Sequence, residues 1–138
     1  MRSSEQGNQK GPVAMTATTG SAQEIARQYA QAWLAGDAEK ALSFIADDVV
    51  CQASSGETKG LAAYRQFLTP FATGLVRGEL IDVLGDGTHA ATVYSVDMPA
   101  VKEFRGMEYL TVADGKITHV ISVFDRLPMV QASGSQPA

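Results

Sequence analysis

The fold is decided by residues 101–126, which read VKEFRGMEYLTVADGKITHVISVFDR. Asp114-Gly115 stands in the middle of this stretch. An Asp-Gly pair is a strong signal for a two-residue hairpin, because glycine accepts the positive φ that a type I′ turn requires. Apolar and polar residues alternate on both sides of the pair, as they do in strands with one buried face. The stretch therefore predicts two antiparallel strands, over 101–113 and 116–126.

Three more strands are predicted before this hairpin. Short runs rich in β-branched residues, bounded by Gly, Ser and Pro, favour strands over helices. The predicted strands cover 49–54, 75–84 and 88–97, and a turn is expected at 55–57.

Helical periodicity marks the first half of the chain. A capping box at 21–24 opens an amphipathic helix that Gly36 ends. Asp37 caps a second helix, which we expect to end at 47–48, and a third helix runs over 60–74. Helices first and antiparallel strands after them predict an α+β domain with three N-terminal helices on one face of the sheet.

Composition excludes several classes of function. The net charge is −4 and no cluster of Lys and Arg stands out, so we expect no nucleic-acid partner. No apolar run approaches the roughly 20 residues of a membrane span, so we expect no membrane partner. Cys51 is the single cysteine, which rules out an intrachain disulfide and suits a cytoplasmic location.

The chain has the length of one domain, with 138 residues of which 45% are hydrophobic. Residues 1–20 are rich in Gly, Ser, Thr, Gln and Asn, and we expect a disordered lead without the apolar core of a signal peptide. Residues 21–127 are expected to form the domain, and 128–138 a flexible tail.

Several motifs together resemble a known superfamily. They are AGD at 35–37, IADDV at 45–49, Gly60 at a helix start, DGKI at 114–117 and FD at 124–125. In this order and spacing they look like the nuclear-transport-factor-two-like fold, in its branch of SnoaL-like polyketide cyclases and ketosteroid isomerases. The resemblance implies a cone-shaped barrel, in which the helices pack inside a strongly curved antiparallel or mixed sheet, and often a homodimer.

The resemblance implies two catalytic positions. Tyr29 matches a tyrosine that donates to a substrate oxyanion in ketosteroid isomerases, and Glu108 matches a carboxylic acid on the strand before the hairpin. Strand alternation independently places Glu108 on an otherwise apolar face, where burial would disfavour the ionised carboxylate. Two alternatives stay open: Tyr29 is a core aromatic, or a register slip puts Met107 and Tyr109 inside instead of Glu108.

Other positions are expected to bind the substrate. Ser122 matches an aspartate of limonene epoxide hydrolases, and Ala53 stands where the isomerases carry their general base. An apolar, ring-bearing ligand would suit the aromatic residues. The predicted substrate-binding residues are Trp33, Tyr64, Phe67, Phe71, Ser122 and Phe124.

We expect neither a metal nor another cofactor. His89 and His119 lie on different predicted strands with no second ligand at metal spacing, and Cys51 is expected to be a buried inert thiol. Asp97 is expected in solvent, and Asp125 in a surface or interface ion pair.

Three functions stay open. The first is an acid–base enzyme, a cyclase, isomerase or dehydratase acting on an apolar carbonyl compound, with epoxide hydrolysis less favoured. The second is a non-catalytic binder of a small hydrophobic ligand, which Ala53 and Ser122 favour. The third is a dimeric interaction module. Ile117, Ile121 and Val123 lie opposite the expected pocket, and we expect a homodimer through that face.

Overall fold

The computed structural model describes residues 21–132, which form three N-terminal helices, a six-stranded sheet and a fourth short helix. This confirms the predicted α+β class. The helices are α1 (Ala22–Leu34), α2 (Ala38–Leu42), α3 (Leu61–Thr73) and α4 (Leu127–Ala132). The strands are β1 (Ile45–Ala53), β2 (Gly56–Lys59), β3 (Arg77–Gly85), β4 (His89–Met98), β5 (Val101–Ala113) and β6 (Lys116–Phe124).

The sheet is mixed, in the order β2-β1-β6-β5-β4-β3. All neighbours are antiparallel except β1 and β6, which run parallel. A parallel pair needs a long crossover, and here the whole β2–α3–β3–β4–β5 segment lies between its two strands. The connection leaves β1 and β6 side by side at the middle of the sheet.

The predicted hairpin is present at the expected turn. Asp114 and Gly115 both have positive φ, of 54° and 77°, as a type I′ turn requires. On β5 the buried positions alternate with exposed ones. The buried set on this strand is Phe104, Gly106, Glu108, Leu110 and Val112.

The core lies between this inner face and the helices. The capping box is formed, since the Ser21 side chain accepts from the Glu24 backbone N–H at 3.1 Å. The apolar side of α1 then packs on the sheet, with Tyr29 and Trp33 at most 1% exposed. Burying these two rings stabilises the fold by several kcal/mol each, at about 25 cal/mol for each Å² of apolar surface.

The prediction that Ile117 lies on the outer face of the sheet is wrong. Ile117 is fully buried, whereas Ile121 and Val123 are 38% and 57% exposed. The pairing changes from Thr111↔His119 to Val112↔Ile117, so β6 carries one extra residue at this bulge. A shift of one residue turns a side chain to the other face of a sheet, which places Ile117 in the core.

Some predicted ends of helices, strands and turns also differ from those in the structure. Residues 47–48 lie in β1 rather than at the end of α2, and the expected turn at 55–57 leads into β2. Part of the expected flexible tail forms α4, while the expected lead at 1–20 lies outside the described residues. Within residues 21–132, none of the helices has the length and apolar character needed to cross a membrane.

Candidate functional site

An apolar cavity of about 80 Å³ lies between the inner face of the sheet and the helices. Helices α1, α3 and α4 and strands β4, β5 and β6 contribute to its wall. Phe67 is 43% exposed and stands at the opening. The lining residues are Trp33, Phe67, Leu68, Phe71, Tyr94, Phe104, Glu108, Ser122, Phe124 and Met129.

Glu108 is the carboxylic acid of this cavity. Two registers of this strand were left open, and the structure has the one that places Glu108 inside, where it is 5% exposed. Met107 and Tyr109 lie on the outer face and are 44% and 45% exposed. Burial raises the pKa of Glu108 to about 7, and hydrogen bonding from the Tyr29 side chain partly opposes that rise. Its Oε1 atom has no hydrogen-bond partner among the described residues. Glu108 is therefore able to give or take a proton near neutral pH.

Tyr29 and Tyr64 lie near Glu108 but do not line the cavity, and both are fully buried. The two hydroxyl groups hydrogen-bond each other. Burial, together with the charge of Glu108, raises the pKa of both hydroxyls, so both keep their protons. Each hydroxyl has one proton, so when Tyr29 donates to ionised Glu108, Tyr64 is the group that donates to Tyr29.

This placement corrects two expectations. Tyr29 was expected to donate to a ligand oxygen and Tyr64 to contact the ligand, but neither is among the residues that line the cavity. The pair acts on Glu108 instead. It supplies a hydrogen bond that stabilises the carboxylate and orients it.

The aromatic wall agrees with the predicted set in four positions: Trp33, Phe67, Phe71 and Phe124 all line the cavity. Phe67 and Phe71 stack with ring centroids 6.2 Å apart. Trp33 packs on Phe71 at 5.5 Å. These contacts give the cavity one continuous aromatic side.

Tyr94 is a lining residue that the sequence analysis missed. Its ring meets Trp33 edge-on, with centroids 4.9 Å apart and an interplanar angle of 85°. Gly106, its cross-strand neighbour, provides the room: a Cβ there would lie 2.3 Å from the Tyr94 hydroxyl oxygen. Burial raises the pKa of Tyr94, and a hydrogen bond with Ser122 partly opposes the rise. The alternation of β4 was a signal that could have found it.

Ser122 is where the resemblance placed it, in the cavity wall and 6% exposed. It stands directly opposite Glu108 across the β5–β6 ladder, and Thr92 stands opposite Glu108 on the other side. The three side chains form a short polar row across an otherwise apolar face.

Met129 closes part of the cavity from α4, a helix that the sequence analysis did not predict. The Asp125 carboxylate accepts from the Leu127 backbone N–H at 3.0 Å, so Asp125 caps the start of this helix. An Asp followed by a Pro at 128 is a helix-start signal that could have been used.

The other polar candidates do not join the cavity wall. Asp97 is paired with Arg77 at 3.1 Å on the surface, which lowers the pKa of that carboxyl. Cys51 is buried, and desolvation with the nearby charge of Glu108 raises its pKa to about 12, so the thiol is not a nucleophile. Within residues 21–132, no three His, Cys, Asp or Glu side chains are grouped as metal ligands.

Comparison with protein families finds one match. The model of the family described as SnoaL-like domain matches residues 26–120, which is most of the described chain. No curated protein matches the sequence significantly.

Solved structures share the fold. A protein from Kribbella flavida DSM 17836 is 34% identical, with a TM-score of 0.79 over 84% of this chain and 95% of that one. A candidate ketosteroid isomerase from the same organism is 22% identical, with a TM-score of 0.67 over 78% of each chain. A candidate polyketide cyclase from Pseudomonas putida KT2440 is 22% identical, with a TM-score of 0.65 over 81% of this chain and 97% of that one.

Proposed function

The chain belongs to the SnoaL-like domain family, and from this premise and the cavity we propose that it is an acid–base enzyme acting on a small apolar carbonyl compound. One observation carries the proposal. Glu108 is buried in an aromatic cavity, its Oε1 atom is unpartnered among the described residues, and its pKa of about 7 lies near the working pH. A base or acid is most effective when its pKa lies close to that pH.

The proposed reaction is proton transfer at the carbon next to the carbonyl. Ionised Glu108 takes a proton from that carbon, and the electron pair of the C–H bond moves to form an enolate. Protonated Glu108 then returns the proton to the same molecule at another atom, which gives isomerisation. In the cyclisation route the enolate carbon instead attacks a second carbonyl carbon, whose C=O π electrons move to its oxygen, and protonated Glu108 gives its proton to that oxygen. One carboxyl group is sufficient for either route, because Glu108 takes one proton and gives one back, and is ionised again when the product has formed.

The surroundings of Glu108 favour this role. The hydrogen bond from Tyr29 limits the rise in pKa, so the carboxylate form is accessible at neutral pH. The pairing of Tyr29 with Tyr64 holds the donating hydroxyl in place. An apolar ligand would displace water from the aromatic wall and would leave its carbonyl as the group that needs a polar partner.

Deuterium exchange tests the proposal without knowledge of the natural substrate. Cyclohexanone in D₂O exchanges the hydrogens next to its carbonyl, and the protein should accelerate that exchange. Glu108→Gln should abolish the acceleration, because the amide keeps the shape but has no transferable proton. Glu103→Gln, which changes an exposed side chain of the same strand, is the matched control. Full acceleration by Glu108→Gln would remove Glu108 from the mechanism.

A non-catalytic binder is the second candidate. Glu108 is the one carboxyl group among the described lining residues, and Ala53 and Ser122 stand where the resemblance expects acids. Cyclohexanone that binds in the cavity without accelerated exchange would favour this function over the enzyme.

We also propose that two copies of the chain associate through the outer face of the sheet. Met107 pairs with Val123 and Tyr109 with Ile121 across β5 and β6, and all four are exposed. An exposed apolar patch of this kind marks an interaction site, and the same patch on a second copy would form a two-fold interface.

Light scattering tests the association, since a dimer has twice the mass of the 14.6 kDa chain. Val123→Lys should give the monomer, because a buried unpaired ammonium opposes association. Val76→Lys, at a position 66% exposed and outside the patch, should leave the mass unchanged. A monomeric wild-type chain at micromolar concentration would contradict the proposal.

A further inference from the structure

Trp33 lines the same cavity as Glu108, and its polar atom is unused. The side chain is 1% exposed, and the indole Nε1 has no hydrogen-bond partner among the described residues. An indole N–H is a donor only, so a carbonyl, hydroxyl or ether oxygen can satisfy it, whereas a cation or an amine hydrogen cannot. Leaving such a donor unpaired in a buried site is unfavourable, and a ligand acceptor would remove that cost.

Most hydroxyl groups near Glu108 have partners, although that of Thr92, opposite Glu108 on β4, has none among the described residues. Tyr94 hydrogen-bonds Ser122, and Tyr29 hydrogen-bonds Tyr64 and Glu108. Trp33 is a lining residue whose donor nitrogen has no partner within the part of the chain that the structure describes, so it is available to a ligand oxygen.

The indole ring is also held in one orientation. Its edge-on contact with Tyr94 and its tilted contact with Phe71 fix the ring from two sides. A donor that is fixed before the ligand arrives loses little entropy on binding and needs no reorganisation when charge develops on the oxygen.

We infer that the Trp33 indole N–H donates to the carbonyl oxygen of the ligand and stabilises the negative charge on that oxygen in the reaction. The inference rests on the proposed function for the reaction step. Trp33 and Glu108 both line this cavity of about 80 Å³, so a small ketone bound in it lies next to both side chains. The donor then meets the oxygen while the carboxylate meets the neighbouring C–H bond. Trp33 thereby takes the role that the sequence analysis gave to Tyr29.

The single tryptophan makes a direct test possible. The ¹H–¹⁵N spectrum of the full chain has one indole N–H signal, which is recorded during titration with cyclohexanone and with methylenecyclohexane. The second compound has the same ring with CH₂ in place of the oxygen. Cyclohexanone should move the indole proton downfield, and methylenecyclohexane should not. Equal shifts from both compounds would overturn the inference, and this measurement needs no variant.

The variant Trp33→Phe keeps an aromatic ring and removes the donor. It should weaken cyclohexanone binding by about 2- to 12-fold, the fold-change that corresponds to about 0.5–1.5 kcal/mol for one neutral hydrogen bond. Methylenecyclohexane has no oxygen to accept a hydrogen bond, so its affinity should differ little between Trp33→Phe and the wild-type chain. Equal weakening for both compounds would show that the ring packs on the ligand without donating to it, which would contradict the inference.

The outcomes also separate this inference from the proposed function. A downfield indole shift together with exchange that survives Glu108→Gln overturns the acid–base role and keeps the hydrogen bond of Trp33. Loss of exchange in Glu108→Gln without any indole shift overturns the hydrogen bond of Trp33 and keeps the acid–base role of Glu108. Failure of cyclohexanone to bind at all would overturn both.

Discussion

Replacing Glu108 with glutamine removes a carboxyl group that the folded chain prefers in its protonated form. Burial raises the pKa of Glu108 from 4.5 to about 7. Between these pH values the folded state holds a proton that the unfolded state has released. The stabilising contribution is therefore complete below about pH 4.5 and is lost as the pH rises through about 7.

The size of the effect follows from the same pKa values. The difference of about 2.5 between them, at about 1.36 kcal/mol for each pKa unit, corresponds to on the order of 3 kcal/mol. Glutamine does not titrate, so the free energy of unfolding of Glu108→Gln relative to wild type should rise with pH by up to about this amount between about pH 4 and pH 8. Other titrating groups occur in both proteins and cancel in the difference.

Urea unfolding of both proteins at several pH values measures the difference. Glu103→Gln serves as control, because it removes an exposed carboxyl group from the same strand and should change the free energy of unfolding by no more than about 0.5 kcal/mol. A difference between Glu108→Gln and wild type that stays flat across the pH range would refute the argument from desolvation. A difference that grows as the pH falls would refute its sign.

Three other changes test the surroundings of Glu108. Tyr64→Phe removes the hydrogen bond between the Tyr29 and Tyr64 hydroxyls in a fully buried place, and urea unfolding should show a loss of about 1–3 kcal/mol. Gly106→Ala puts a Cβ 2.3 Å from the Tyr94 hydroxyl oxygen, and the same measurement should show a loss of about 1–3 kcal/mol as the ring is displaced. Met129→Ala widens the cavity and should relieve about 1 kcal/mol of strain when a bulky ketone binds. The affinity for 2-decalone should therefore improve about fivefold relative to that for cyclohexanone.

Each change has a matched control in the chain. Tyr109→Phe removes a hydroxyl that is largely exposed, and Gly87→Ala adds a Cβ with no atom within 4 Å. Leu127→Ala shortens an exposed side chain of α4 that does not line the cavity. Losses as large in the first two controls as in Tyr64→Phe and Gly106→Ala would contradict the hydroxyl pairing and the steric argument. Improved 2-decalone binding in Leu127→Ala would contradict the assignment of Met129.

Much of the fold could be predicted from local patterns. The Asp114-Gly115 turn and the alternation of β5 were sufficient to predict the hairpin, because turn type and strand alternation depend only on neighbouring residues. The same alternation singled out Glu108 as the one charged side chain on an apolar face, and its unusual pKa follows from that burial.

Other features were decided only when distant elements packed together. The bulge on β6 turned Ile117 inward, and a one-residue shift of this kind has no signature in an alternating pattern. The α4 helix is too short to be stable alone, so its place over the cavity comes from Met129 and the cap at Asp125.

In the functional site, too, local patterns predicted some features and the packing of distant elements decided others. The sequence alone predicted the inward face of α1 and left two registers for β5, of which the structure has the one with Glu108 inside. Only the tertiary structure decided which inward residues border open volume, since that depends on how side chains from separate elements fill the space between them. Tyr29 and Trp33 lie on the same face of α1, yet Tyr29 hydrogen-bonds Tyr64 and Glu108 without lining the cavity, whereas Trp33 lines it.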